Sequence, residues 1–172
     1  MPALWPDAYV ILGVSMTKRE DRMGKAGQNI AASVLSGMGI EMVEKIGTPV
    51  RLVPVNPRQN IFKVFWEEAV SGDHRGILPG GISVLAETKT ILDRNLRYSD
   101  LRHHQPERLQ EHSQHGGISL LIWVNGSYRE NVFVMLFPII GFEPGKSIKV
   151  EEARYEDQVA RRFIYQKIEE NR

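Results

Sequence analysis

Two carboxylates and an amine stand close together in DHRGILPGGISVLAETK, residues 73–89: Asp73, Glu87 and Lys89. These types suit metal-dependent hydrolysis, because paired carboxylates hold a divalent cation through oxygen and an ammonium offsets charge developing on the reacting group. The side chains must first converge. Leu78-Pro79-Gly80-Gly81 has Pro at the second turn position and Gly at the third, the pattern of a type II turn, so the chain reverses into a hairpin. In the second arm, 82–89, side chains alternate across the strand. Ser83, Leu85, Glu87 and Lys89 share one face, and Ile82, Val84, Ala86 and Thr88 the other. Counting back from a turn centred between Pro79 and Gly80 pairs Asp73 with Ala86, one residue from Glu87, so a small bulge brings the carboxylates together. An Asp in a turn, or Glu and Lys on an exposed strand face, also occurs without chemistry; the combination points to a site.

The elements around this hairpin follow from periodicity. Ile30, Val34, Leu35 and Met38 recur at helical spacing, predicting a first helix over 25–38 that Gly37 and Gly39 stop. Gly24 and Gly27 near its start permit close backbone approach, to a phosphate or, more commonly, to a neighbouring element. Residues 1–24, with two prolines and a mixed-charge run, read as an N-terminal arm. Alternation over 41–46 and 50–55 predicts two strands of an antiparallel sheet, with Pro54 favouring an edge. A helix is expected to begin near Pro106, anchored by Leu109 and ended by Gly116-Gly117, with Gln105 just before it and able to reach a neighbouring site. The apolar run 118–124 suits a buried strand, and 131–137 reads as its hairpin partner after Asn125-Gly126. Residues 157–171 form a last amphipathic helix with Val159, Phe163, Ile164 and Ile168 on its apolar face.

At 172 residues, 42% hydrophobic and 25% charged, the chain fits one globular domain over 25–172. There is no Cys, which excludes thiolate nucleophiles, disulfides and Cys-ligated zinc. Histidines 103, 104, 112 and 115 lack a zinc-ligand spacing. No apolar run reaches the roughly 18 residues of a membrane span, so no membrane partner is expected and a cytoplasmic setting is. The net charge is only +1, so any nucleic-acid contact must come from local clustering. One such cluster exists: between Lys45 and Trp66 stand Lys45, Arg51, Arg58 and Lys63 with no acid, interleaved with Phe62, Phe65 and Trp66. Over 50–66 this reads as a basic β-hairpin suited to phosphate contact and base stacking, or equally as a solvated face over aromatic core. Arg94, Arg97 and Arg102 with His103 and His104 make a second cationic region.

Helix, strands, Asp73, a hairpin to Glu87 and Lys89, a helix near Gln105 and a buried strand follow the order of a PD-(D/E)XK nuclease core. That core is an α/β fold, a mixed α+β sheet flanked by helices. The chain further resembles the RecU-type Holliday junction resolvases of bacteria and their phages. The resemblance rests on GIEMVEKIGTPVRLV at 39–53, GDHRGILPGGISVLAETK at 72–89 and HQPERLQEHSQHGGISLLI at 104–122. These blocks cover about 30% of the chain, and the Lys-x-x-Thr-Pro-Val and His-Gln features are not generic to nucleases. In that family the segment inserted before the catalytic hairpin is a stalk that contacts the junction, matching the basic hairpin here.

The resemblance implies a structure-specific endonuclease that resolves four-way DNA junctions in recombination and repair or in phage DNA processing, acting as a homodimer. It makes Asp73 and Glu87 metal ligands together with the Thr88 carbonyl, Lys89 the lysine of the motif, and Gln105 a catalytic neighbour. Arg51, Arg58, Lys63 and Arg75 become DNA-binding residues. The implied cofactor is Mg2+, with Mn2+ as a substitute, and the products carry 5′ phosphates. One departure is visible: many members place a Glu on the first helix, where this chain has Gln28, and a neutral amide binds metal more weakly. Two rival readings stand beside this one, a nuclease of the same superfamily acting on other DNA and a DNA-binding relative without catalysis.

Overall fold

The computed structural model describes residues 18–47, 50–56, 61–66, 72–126 and 131–171. Its centre is a mixed five-stranded sheet in the order β1 (Glu41–Lys45), β4 (His74–Leu78), β5 (Ile82–Thr90), β7 (Ile118–Val124), β8 (Val132–Leu136). Only β5 and β7 run parallel; the other neighbours are antiparallel. With helices on both faces this is an α+β architecture, consistent with a nuclease-like core. No helix among the described residues is long and apolar enough to cross a membrane.

The near-continuous apolar run of β7, interrupted only by Ser119, is explained by burial on both sides: all seven residues are buried. Leu120, Ile122 and Val124 join a cluster with Ala31, Val34 and Leu35 of α1 (Lys18–Gly37), Met38 just after it, and Ile164 and Ile168 of α3 (Val150–Glu170). Leu121 and Trp123 join a second cluster with Leu109 of α2 (His104–Gln114), Phe133, Met135 and Leu96. The Trp123 indole N–H, carried into this interior, donates to the Ile91 carbonyl at 2.8 Å. At the far edge, Asp157 of α3 accepts the Val134 N–H at 2.8 Å, so the helix covers part of the open rim of β8.

Several expected boundaries move. α1 starts at Lys18 rather than 25, so residues 18–24, assigned above to an arm, are helical; residues 1–17 lie outside the described residues. α3 starts at Val150 rather than 157. There Glu152 reaches back to accept the Lys149 N–H at 2.8 Å, and Ala153 is buried, so the first two turns carry a cap and a packed residue despite their charge. Val159 is 40% exposed, because the buried stripe runs Ala153, Ala160, Ile164, Ile168. β1 does not pair with β2 (Val50–Asn56): it joins the central sheet through β4, and β2 pairs with β3 (Ile61–Trp66) as a separate two-stranded hairpin. A small sheet of β6 (Leu96–Arg97) and β9 (Ser147–Ile148), unforeseen in the polar stretch after β5, closes over the second cluster through buried Leu96.

Candidate active site

The β4–β5 hairpin forms as expected, with one change of register. Gly81 N–H bonds the Leu78 carbonyl at 3.0 Å, and Gly80 at φ 85 takes the left-handed third turn position. Gly81 is also left-handed at φ 81, so the loop has three residues and Leu78 pairs with Ile82. The ladder therefore ends with His74 opposite Ala86, and Asp73 N–H also bonds the Ala86 carbonyl at 2.7 Å. Two residues of one strand lie against one of the other, as in a β-bulge. Gly72 precedes it at φ 81, where a Cβ would crowd Leu85 Cδ1 at 2.6 Å.

This bulge delivers the Asp73 carboxylate to Thr88, whose backbone N–H donates to Oδ2 at 2.8 Å. The other oxygen, Oδ1, accepts from Gln28 Nε2 at 2.7 Å. Gln28 reaches that far because of the residue before it: a Cβ at Gly27 would collide with Thr90 Oγ1, so the absence of a side chain lets α1 lie close against β5. The packing role expected of Gly27 is thus the observed one. Gly24 meets nothing within 4 Å and lines the cleft instead.

On β5, Glu87 is 2% exposed and Lys89 points the same way. Lys89 Nζ lies 2.9 Å from Glu87 Oε1 and donates to Gln105 Oε1 at 2.8 Å. Gln105 Nε2 donates to Glu87 Oε1, and the Arg102 backbone N–H donates to Gln105 Oε1 at 2.7 Å. The buried amide of Gln105 thus clasps the carboxylate and the ammonium at once. Burial pushes the Glu87 carboxyl up to about 7; Lys89 opposes this, Asp73 adds to it, and Arg102 opposes it. His74, buried beside Asp73, is held below the usual imidazole range by burial. Flanking the cluster, the buried atoms His74 Nδ1 and Thr88 Oγ1 have no hydrogen-bond partner among the described residues.

These groups line a cleft of about 590 Å³ between the N-terminal half of α1, the end of β5 and the start of α2. Asp73, Glu87, Thr88, Lys89, Gln105 and Gln28 all border it. Of the remaining expected site residues, Arg75 does not. Arg75 sits on the exposed face of β4, bonded to Glu44 at 2.8 Å. Arg58 lies outside the described residues, as do the side chains of Arg51 and Lys63 on the β2–β3 hairpin. Arg102 and His74 were not singled out as site residues. His74 adjoins Asp73 in sequence, and Arg102 stands one helical turn before Gln105, so proximity to the motif was the available signal. His112 is engaged elsewhere, between Ser119 Oγ at 2.9 Å and Ser83 Oγ at 3.0 Å.

Chemically, the cleft offers two carboxylates as hard oxygen donors, an ammonium fixed next to them and a cationic rim, an arrangement suited to divalent-cation-assisted hydrolysis of a phosphate ester. The family model described as Recombination protein U matches residues 29–168, which spans the C-terminal half of α1, the β2–β3 hairpin, the cleft residues from Ile46 to Gln105 and nearly all of α3. A comparison with curated proteins gives no match. The match covers most of the chain and takes in Asp73, Glu87, Lys89 and Gln105: the chain belongs to the RecU family of recombination proteins, a family of Holliday junction resolvases.

Proposed function

We propose that this chain is a magnesium-dependent endodeoxyribonuclease that nicks four-way DNA junctions at the Asp73–Glu87 cleft, leaving 5′-phosphate ends. The observation that carries the reading is the convergence of Glu87 and Lys89 through the Gln105 clasp, with the Asp73 carboxylate held beside them by Gln28 and the Thr88 N–H. Fit to a hard cation is supported by the donor set, carboxylate oxygens with no thiolate in the chain, and by the burial that pushes Glu87 up to about 7, a desolvation cost that a bound cation would offset. Asp73 and Glu87 would hold the ion, with the Thr88 carbonyl as a third donor. When bound, it supplies positive charge against a phosphate oxygen and makes a coordinated water easier to deprotonate.

The chain's own residues do the rest. Gln28 and the Thr88 N–H fix the Asp73 carboxylate by one bond to each oxygen, so the donor is oriented before any ligand arrives. Lys89, 14% exposed and tethered on two sides, presents the remaining capacity of its ammonium to the cleft, where it orients the attacking water or offsets charge on the five-coordinate transition state. Gln105 keeps Glu87 and Lys89 in one geometry. Paired nicks require two sites in matching orientation, which a twofold homodimer provides. A monomer by light scattering at a concentration where junctions are cut would remove that part.

The test separates binding from chemistry. Asp73→Asn, Glu87→Gln and Lys89→Ala are each expected to lower the single-turnover cleavage rate with Mg2+ by at least about 100-fold while junction affinity stays within a few fold, since affinity comes from phosphate contacts over a wider surface. A folded variant that keeps wild-type turnover overturns the role given to that residue.

A further inference from the structure

Two cations border the cleft, Lys89 and Arg102. They are not in the same state. Lys89 is committed to Glu87 and Gln105. Arg102 is exposed, and no hydrogen bond or ion pair among the described residues involves its guanidinium. Other arginines show the contrast: Arg94 forks onto both oxygens of Asp100, Arg75 binds Glu44, and Arg161 binds Asp157.

The root of Arg102 is nonetheless fixed. Its N–H donates to Gln105 Oε1 at 2.7 Å and its carbonyl accepts the Gln105 N–H at 2.9 Å, while its neighbour Leu101 is buried. A guanidinium on an anchored backbone, at the lip of a cleft and without a hydrogen-bond or ion-pair partner among the described residues, is placed to offer its donors to a ligand. The charge balance of the cleft gives it a task. Asp73 and Glu87 contribute −2 when ionised, and Lys89 and Arg102 contribute +2, so the lining is neutral before any cation enters. Without Arg102 it would be −1 and would repel a phosphodiester.

We infer that Arg102 receives the DNA phosphate at the cleft, its planar fork binding the non-bridging oxygens of the phosphodiester presented to Asp73 and Glu87. It is a binding and positioning group for the reacting phosphate, distinct from Lys89, whose ammonium is held in the carboxylate cluster. This rests on the nuclease reading above but concerns binding, so the two can fail separately.

The experiment measures affinity for a fluorescent four-way junction in chelator across a salt series, with single-turnover cleavage in Mg2+ run in parallel. The proteins are wild type, Arg102→Ala, Arg102→Gln, Arg102→Lys and the control Arg97→Ala, an exposed arginine outside the cleft. Loss of one phosphate contact is expected to reduce the slope of log affinity against log salt by about 0.9 in both uncharged variants. Cleavage is expected to fall on the order of 10- to 100-fold, the scale of a hydrogen bond to a charged group. Arg102→Lys should restore the slope and only part of the rate, because a point charge replaces the fork. Arg97→Ala should match wild type. A wild-type slope in both uncharged variants overturns the inference whatever the rate does. A lost slope unit with a wild type that never cuts DNA keeps the inference and overturns the nuclease reading.

Discussion

Gln28 holds Asp73 by a 2.7 Å bond from Nε2 to Oδ1. Gln28→Glu turns that donor into an acceptor of like charge. Left unrelaxed, two carboxylate oxygens at this distance repel by about 6 kcal/mol at an effective dielectric near 20, and swinging apart to roughly 5 Å leaves about 3 kcal/mol. Gln28→Ala loses only the hydrogen bond to a charged acceptor, about 1.5–3 kcal/mol at most for a half-buried group. For a domain of this size, about 1 kcal/mol shifts Tm by roughly 2–4 °C. In chelator, Gln28→Glu should therefore melt roughly 6–12 °C or more below wild type, and Gln28→Ala less far below. Excess Mg2+ should close the gap for Glu, whose new carboxylate faces the cation, and leave it for Ala. Gln28→Glu should also reach half-maximal cleavage at lower Mg2+ than wild type, and neither effect should appear on an Asp73→Asn background. Calorimetry with and without Mg2+ measures the first and a Mg2+ titration of cleavage the second. Equal melting of the Glu and Ala variants in chelator, with superimposable Mg2+ curves, would refute the reasoning.

Further outcomes follow from the same geometry. The folded-state carboxyl of Glu87 lies near 7, above its unfolded value, so between about 4.5 and 7 the folded chain binds more protons; metal-free stability should fall across that window as pH rises, by about 3 kcal/mol in all. Glu87→Gln should flatten this slope, and Mg2+ affinity should rise with pH through the same window; a pH-independent denaturation midpoint in chelator would count against it. Gly27→Ala should drive a methyl into Thr90 Oγ1 and push α1 off β5, costing about 1–3 kcal/mol and loosening the Gln28–Asp73 bond, so chemical denaturation and Mg2+ affinity should both worsen. Reversing the charges of Arg51, Arg58 and Lys63 should weaken junction binding and flatten its salt dependence by up to about one unit per lost phosphate contact, with little change in Tm. Unchanged affinity and slope would make that hairpin purely structural.

Much of the site could be read from local pattern because its first elements are local. A Pro-Gly-Gly turn fixes a hairpin, period-two alternation puts Glu87 and Lys89 on one face, and an apolar run predicts β7 as a buried strand. The three-residue loop could not be distinguished from a two-residue turn, since Gly80 and Gly81 tolerate positive φ equally; the choice changed the register by one and moved the bulge to Asp73 and His74. What sequence spacing does not carry is convergence between distant elements. Gln28 lies 45 residues from Asp73, and only the close fit of Gly27 against Thr90 brings them together. Gln105 was placed near the site, but its bridging of Glu87 and Lys89 depends on the Arg102 backbone turning it inward. The early starts of α1 and α3 were hidden by charge, because Lys18–Arg22 and Glu151–Glu152 read as solvated segments although the helices continue through them.

The central claim is that this cleft hydrolyses the backbone of branched DNA. Its most direct test incubates an end-labelled four-way junction, the matching duplex and one of its single strands with the wild-type chain and with Asp73→Asn, in Mg2+ and in chelator. Paired nicks are expected in the junction only with wild type and Mg2+, with 5′-phosphate ends that ligase can reseal and with duplex and single strand left intact. Cutting of duplex or single strand in preference to the junction, or no cutting of any substrate by a folded wild-type protein that binds them, would contradict the claim.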